Sequence, residues 1–455
     1  MVNAMERLRI VEKFRDYLFK AELDLWNMPE AGYKEFKTDA YMKQEFTKLG
    51  YQLTVAQGTT GFYTVVDTGR PGPTVLVFAE LDALYSPLHP DTNKQTGCVH
   101  ACGHSVQCTA MLGLAHVLKE DGALDNLSGK IKLCVVPAEE GIELAFRKEL
   151  IKKGVIKYPT GKVEFFARGF FDDVDLAFMF HTRSVQEVGS DKYDFYLSEG
   201  SNGVIRKTTT IKGKATHAGE NPYNGVNALN AFSLMVCATN NLRETFNEKD
   251  YIKFHSIVTK GGDSVSVVPD KVVVESYVRG ASVNAISNAN KKINRAIAAS
   301  CVANGCSCQI SDVRGSQPLI NDNNFSELAI EVFDEVSGKG KHLRDGKWFA
   351  SSTDMGDVSS VLPSLHAYIV CAEGDSHGKD YFITNKENAC IKNVKAHYGI
   401  LIKLLSDGGK RAKQIIENYK PTFNSISEYL SHVDSMNNTK EVVKYNSDGT
   451  ITIDC

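Results

Sequence analysis

Four short apolar runs, at 74–79, 131–136, 176–180 and 367–371, constrain this chain most. Each is too short for a buried helix and too continuously apolar for a strand with one wet face, so each reads as a strand covered on both sides. Helical patterns, notably at 109–119, lie between them. The alternation predicts an α/β domain whose largely parallel sheet is covered by helices. With 455 residues, 42% of them hydrophobic, there is apolar material for more than one core.

Between 203 and 314 the order of elements changes. A strand (204–211), a helix (226–246), two strands (253–259 and 271–278), a second helix (285–303) and a last strand (307–313) follow the β-α-β-β-α-β order of a ferredoxin-like unit. Gly261, Gly262 and Pro269 supply the turn between the middle strands. The expected division is therefore a larger domain made of 1–202 and 315–455, interrupted at 203–314 by a ferredoxin-like domain. The tail beyond 420 is polar and poorly patterned, and no element is assigned to it.

Charge narrows the partners. The chain carries 52 basic and 55 acidic residues, a formal net charge of -3, which offers no field to attract nucleic acid or a membrane surface. A small-molecule substrate is expected instead. No stretch approaches the roughly 20 apolar residues that cross a bilayer. The first turns alternate charged and apolar residues rather than forming a secretory leader, so a cytoplasmic location is expected. Eleven cysteines, an odd number without regular spacing, are expected to be mostly free thiols packed as small apolar groups.

The chemistry follows the strands. Glu80 and Asp82 come after the first run, Glu139 and Glu140 after the second, His181 after the third, and Asp375 and His377 after the fourth. Ligands of open α/β sheets bind outside the carboxyl ends of the strands, so these groups are candidates to meet in one crevice. His100-Ala101-Cys102-Gly103-His104 adds a thiol and an imidazole two residues apart, and Gly103 permits the backbone turn between them. An isolated Cys-Gly-His would more often be a core thiol beside a satisfied loop histidine. Its place among the other groups favours a metal cluster. The adjacent carboxylates Glu139 and Glu140 suit the two tasks of metal-assisted hydrolysis, one to hold an ion and one to move a proton. Taken alone, that pair would serve equally well at a helix N-terminus. His217, in Gly213-Lys214-Ala215-Thr216-His217-Ala218, lies in the other domain and is a candidate hydrogen-bond donor to an oxyanion, or a turn histidine.

These motifs resemble the aminoacylase and carboxypeptidase-G type of dinuclear metallopeptidases, in the branch that holds hippurate and auxin-conjugate hydrolases. The matching pieces are AELDAL (79–84), HACGH (100–104), VVPAEEG (135–141), the strand ending in His181, GKATHAG (213–219), GG followed by VVPD (261–270), and His377. The stretch SSTDMGDVSSVLPS (351–364) is similar to that of p-aminobenzoyl-glutamate hydrolases and β-alanyl-lysine dipeptidases. The resemblance implies hydrolysis of the amide bond of an N-acyl amino acid, an aminobenzoyl-glutamate-like conjugate or a dipeptide, through a hydroxide shared by two divalent ions (zinc, manganese or cobalt). It implies Cys102, His104, Glu140, His181 and His377 as ligands, Glu139 as general base and Asp82 as the carboxylate that orients a ligand. It also implies a homodimer formed through the ferredoxin-like domain, which would act as lid, with His217 reaching the partner's active site.

The chain departs from the family pattern at Ser105, where Asp or Asn is usual, at Glu80 in place of Asp, and at Ser266 in place of an Asn that helps to hold the substrate carboxylate. Arg279 is the alternative anchor for that carboxylate. Two other classes compete. A metal-free enzyme with Cys102 as nucleophile would survive chelation. A non-catalytic binding protein on the same scaffold would have lost part of the Glu, Cys and His set, and none of it is missing here.

Overall fold

The computed structural model describes residues 4–455. The chain divides into two compact units. The larger contains the described residues up to Glu199, together with Ile320–Lys347 and Asp357–Ile426; the smaller contains Gly200–Leu319, Trp348–Gly356 and Ser427–Cys455.

The larger unit is built on a nine-stranded sheet. Its centre is four strands: β1 (Thr74–Glu80), β2 (Lys130–Val136), β3 (Leu176–Ser184) and β4 (Ser364–Glu373). They lie side by side in the order β2-β1-β3-β4, and every neighbouring pair is parallel. All seven residues of β1 are buried, which is why the run is apolar without alternation. Antiparallel strands close both sides, Phe62–Asp67 against β2 and Phe195–Leu197 against β4. One face of β3 carries Leu176, Phe178 and Phe180 into a core shared with helix α1 (His104–Val117) and with the helices Asn323–Ser337 and Asn393–Leu405. Among the described residues no helix is long and apolar enough to cross a membrane, and all eleven cysteines are free thiols.

Helix α1 starts at His104, five residues before the predicted start. Its first turn, with Ser105 and Gln107, lacks an apolar stripe, yet it is fully buried. Gln107 donates from its side chain to Glu80 at 2.9 Å and accepts from the Glu80 backbone at 3.0 Å, which satisfies a polar group inside the core.

The smaller unit has the ferredoxin-like order. Its antiparallel sheet runs Lys253–Lys260, Lys271–Gly280, Gly203–Lys212, Ser307–Arg314, with the helices Ala228–Asn240 and Val283–Ala303 packed on a core of Ile211, Met235, Val274, Ile293 and Ile297. Two further strands extend it. Asn438–Tyr445 pairs antiparallel with Ser307–Arg314, and Ile451–Ile453 pairs with that strand in turn. The C-terminal segment thus departs from the expected assignment of 315–455 to the larger domain. Val442 and Val443 are buried in the smaller unit's core, whereas most of the strand around them is exposed, so the run shows no apolar period. Trp348–Gly356 also clusters with the smaller unit.

Candidate metal centre

The carboxyl ends of β1, β2, β3 and β4 bring their polar residues into one cluster within the larger unit. Asp82, just past β1, is fully buried and makes three contacts that shape it. Its carbonyl lies 2.7 Å from His104 Nδ1, its Oδ1 lies 3.4 Å from the same nitrogen, and its Oδ2 accepts from the backbone N–H of Glu140 at 2.9 Å. His104 donates its Nδ1 proton there, which aims Nε2 into the cluster. His181 is oriented in the same way: Nδ1 is 2.9 Å from the carbonyl of Thr182, and Nε2 is 3.3 Å from Cys102 Sγ.

Two triads of donor atoms share one thiol. Cys102, His104 and His181 have ligand atoms that all lie within 4.8 Å of one another, and so do Cys102, Glu140 and His377. Glu139 joins His104 and Glu140 in a third group of the same span. Glu140 is buried, Glu139 is half-buried, and the side chain of His377 is 55% exposed at the rim, with Nε2 3.5 Å from Glu140 Oε1.

Unusual backbone holds these groups. Gly103 has φ of 79°, and a Cβ there would lie 2.1 Å from Thr182 Oγ1, so the tight pass between Cys102 and His104 requires glycine. His377 and Ala138 are non-glycine residues in the left-handed region, at φ of 68° and 55°. Such strain persists only where the surroundings over-determine it. The backbone N–H of His377 donates to the carbonyl of Ala101 at 2.9 Å. The backbone N–H of Ala138 donates to buried Glu35 at 2.9 Å. Arg147, fully buried, donates to the carbonyls of Glu140, of Pro159 at 2.8 Å and of Ala138 at 3.4 Å. Sequence patterns do not single out Glu35, whose partner Ala138 is far along the chain, or Arg147, whose bonds go to backbone carbonyls that carry no side-chain signal.

The electrostatics favour positive charge at the centre. Burial disfavours the His104 imidazolium, yet Cys102, Glu80 and Asp82 outweigh it and hold its pKa well above the ordinary value. Burial, and then the neighbouring charge of His104, lower His181 to about 4. Burial and then the Glu140 carboxylate push the Cys102 thiol up. Glu80 Oε2 stands 3.1 Å from His104 Nε2, while its other oxygen pairs with fully buried Lys162. His104 Nε2 and Glu140 Oε1 are both buried without a hydrogen-bond partner. Imidazole nitrogens and a carboxylate oxygen converging with a thiol are a ligand set for a metal cation, which would take the place of the protons.

The profile of peptidase family M20/M25/M40 matches residues 76–403. The chain belongs to this family. It is accordingly a metal-dependent hydrolase of amide bonds. Among curated relatives, it is 29% identical over 267 residues to the N-acetyl-L-cysteine deacetylase of Bacillus subtilis (strain 168), covering 56% of this chain and 57% of that one. It is 22% identical over 384 residues to a chain of the p-aminobenzoyl-glutamate hydrolase of Escherichia coli (strain K12), covering 81% and 72%. Among solved structures, the YXEP protein of Bacillus subtilis, described as a dinuclear metal binding peptidase, is similar in fold, with a TM-score of 0.67 at 18% identity over 87% of this chain and 99% of that one.

The two remaining candidate residues lie in the smaller unit of this M20 chain. His217 is exposed, and its Nδ1 accepts from the backbone N–H groups of Gly219 at 3.2 Å and Glu220 at 3.0 Å. That fixes the tautomer with the proton on Nε2. Arg279 stacks on Tyr277 and donates to Ser352 at 2.7 Å, within the motif at 351–364. Ser266, at the departure from the family pattern, meets Ser264 at 2.9 Å.

Proposed function

We infer that the chain hydrolyses the amide bond of a small N-acyl amino acid, an aminobenzoyl-glutamate-like conjugate or a dipeptide, using two divalent ions held by Cys102, His104, Glu140, His181 and His377. The observation that carries the reading is Cys102, the one donor common to both triads. The donor set fits the ions: a thiol, three imidazoles and a carboxylate offer ligand atoms in two triads that share the thiol, a mixture that suits zinc, manganese or cobalt and does not choose among them. When bound, such ions polarise a carbonyl and acidify a water molecule.

The chain's own residues do the rest. Glu139, half-buried beside Glu140 and His104, takes a proton from the attacking water and returns it to the departing amine. Asp82 keeps His104 in the tautomer that presents Nε2. His217, with its proton on Nε2, donates to the oxyanion. Arg279 and its partner Ser352 offer a forked donor for the substrate carboxylate.

The smaller unit serves as lid and dimer interface in this reading. Leu229 and Leu234 on one helix, and Ile257 and Val258 on the edge strand Lys253–Lys260, are exposed apolar side chains of the kind a second copy covers. His217 then serves the partner's active site. The test is a screen of protein stripped by a chelator and reloaded with zinc, manganese or cobalt against p-aminobenzoyl-glutamate, hippurate, N-acetyl amino acids and β-alanyl dipeptides. Turnover that appears with metal and disappears with chelator is expected. Activity that survives chelation, or hydrolysis of none of these amides, overturns the reading.

A further inference from the structure

Thr182, which follows His181 near the end of β3, is buried and links three segments that each carry a residue of the cluster. Its own carbonyl stands 2.9 Å from His181 Nδ1 and sets the orientation of that ring. Strand alternation turns its side chain away from His181 and onto the start of α1, where the hydroxyl donates to the carbonyl of Cys102 at 3.1 Å. The side chain lies flat against the backbone of Gly103: a Cβ there would meet Thr182 Cγ2 at 2.7 Å as well as the hydroxyl. The third contact is Tyr381, whose phenol oxygen is 2.6 Å from Thr182 Oγ1. Tyr381 comes four residues after His377, whose backbone N–H is itself tied to Ala101.

The direction of these hydrogen bonds is fixed by the protons available. Thr182 has one hydroxyl proton and gives it to the Cys102 carbonyl, so Tyr381 donates to Thr182 Oγ1. Donors in series polarise one another and strengthen the chain. Tyr381 is fully buried in one apolar cluster with Trp26, Ala101, Cys102 and Ala372. Its carbonyl takes the Nε2 proton of His89 at 2.9 Å, since His89 Nδ1 accepts from the backbone N–H of Asp91 at 3.1 Å. Valine would fill the space of Thr182, so packing alone does not call for an oxygen at this position.

We propose that Thr182 is a positioning residue for both ions, its hydroxyl fixing where the Cys102 thiol sits between them. Cys102 belongs to both triads, His181 to one and His377 to the other, so this hydroxyl joins the shared thiol's backbone to a ligand-bearing segment from each. The proposal rests on the ligand set inferred above and adds to it the group that keeps the two triads in register.

Ion affinity tests this without turnover. Cobalt(II) is titrated into metal-free protein against a chromophoric chelator, for the unaltered chain, Thr182→Val, Thr182→Ser and Tyr381→Phe, with melts of the metal-free proteins to confirm that they fold. Thr182→Val should weaken both ions by about ten- to hundredfold, as is typical when a group that holds a ligand in place is lost, and should shift the thiolate-to-cobalt charge-transfer band. Thr182→Ser keeps the hydroxyl and should hold both ions nearly as tightly as the unaltered chain. A folded Thr182→Val protein with unchanged affinities and band, a loss confined to one ion, or equal weakening in the valine and serine variants overturns the proposal, because Thr182 would then only fill space. Should Thr182→Val not fold, Tyr381→Phe decides, since it removes only the outer donor: a weakening of about two- to tenfold at both positions, the worth of one neutral hydrogen bond, supports the proposal, and unchanged affinity overturns it. An unaltered chain that takes up no cobalt defeats the ligand reading itself and this proposal with it, whereas the other failures leave that reading standing.

Discussion

Replacing Arg147 with methionine should damage the site from behind. Arg147 is fully buried, and its guanidinium donates to the carbonyls of Glu140 and Pro159, with a longer contact to Ala138. Two good hydrogen bonds from a charged donor contribute roughly 1.5–3 kcal/mol each, or about 3–6 kcal/mol together. Relief of the buried charge offsets part of this loss, and methionine refills much of the volume, so a net cost of about 2–4 kcal/mol is expected. The damage should be local, because the freed carbonyls belong to the segment that carries Glu139 and Glu140, and Ala138 in it is already strained at φ of 55°. Thermal melts should show a modest fall in Tm, while kcat falls by at least tenfold and KM moves little. Metal content per chain, read by atomic spectroscopy, should fall with it. An Arg147→Met protein that melts lower but keeps its kcat and its metal would refute the argument that Arg147 positions the carboxylate pair.

Three other substitutions follow from the same packing. Gly103→Ala puts a Cβ where Thr182 Oγ1 already stands and forces alanine into φ of 79°, so it should cost more than about 2 kcal/mol and abolish metal uptake, measured by chemical denaturation and metal analysis. Lys162→Met removes the cation paired with one oxygen of the buried Glu80 carboxylate, leaving only Gln107 and His104 on the other, and should destabilise by about 3–5 kcal/mol; adding Glu80→Gln should restore most of it, and a strictly additive double mutant would contradict the pairing. His397 lies buried against Phe180, and burial lowers its pKa to about 4 from an ordinary 6.5. The unfolded chain therefore takes up the proton first: the contribution of His397 to stability is complete above pH 6.5 and is lost as pH falls through 4. The loss amounts to about 3 kcal/mol, and a His397→Leu protein should show a correspondingly flatter stability profile between pH 6.5 and 4.

How much of this was legible in the sequence depended on where the constraint lay. The central strands were legible because burial on both faces demands an unbroken apolar run, and β1 with its seven buried residues is the clearest instance. The ferredoxin-like order was legible because amphipathic elements alternate at regular spacing. The start of α1 was hidden, since Ser105 and Gln107 are polar residues buried in its first turn, where Gln107 serves Glu80. The strand Asn438–Tyr445 was hidden for the opposite reason: it buries little beyond Val442 and Val443, and its place comes from pairing with Ser307–Arg314. In the candidate site, Glu139, Glu140, His181 and His377 stood out as chemical groups at strand ends, and Cys102 and His104 as a thiol and an imidazole two residues apart in one short motif. Glu35 and Lys162 did not, because what they hold is contributed by segments far away in the chain, and Arg147 did not, because it holds backbone carbonyls, which leave no mark in the sequence.

The measurement that bears most directly on the central claim is the metal content of Cys102→Ser, set beside that of the unaltered chain. If one thiol serves both triads, the unaltered chain binds two ions per chain, and Cys102→Ser loses tight binding at both positions while its melt shows it still folded. A folded Cys102→Ser protein that retains two tightly held ions would contradict the account.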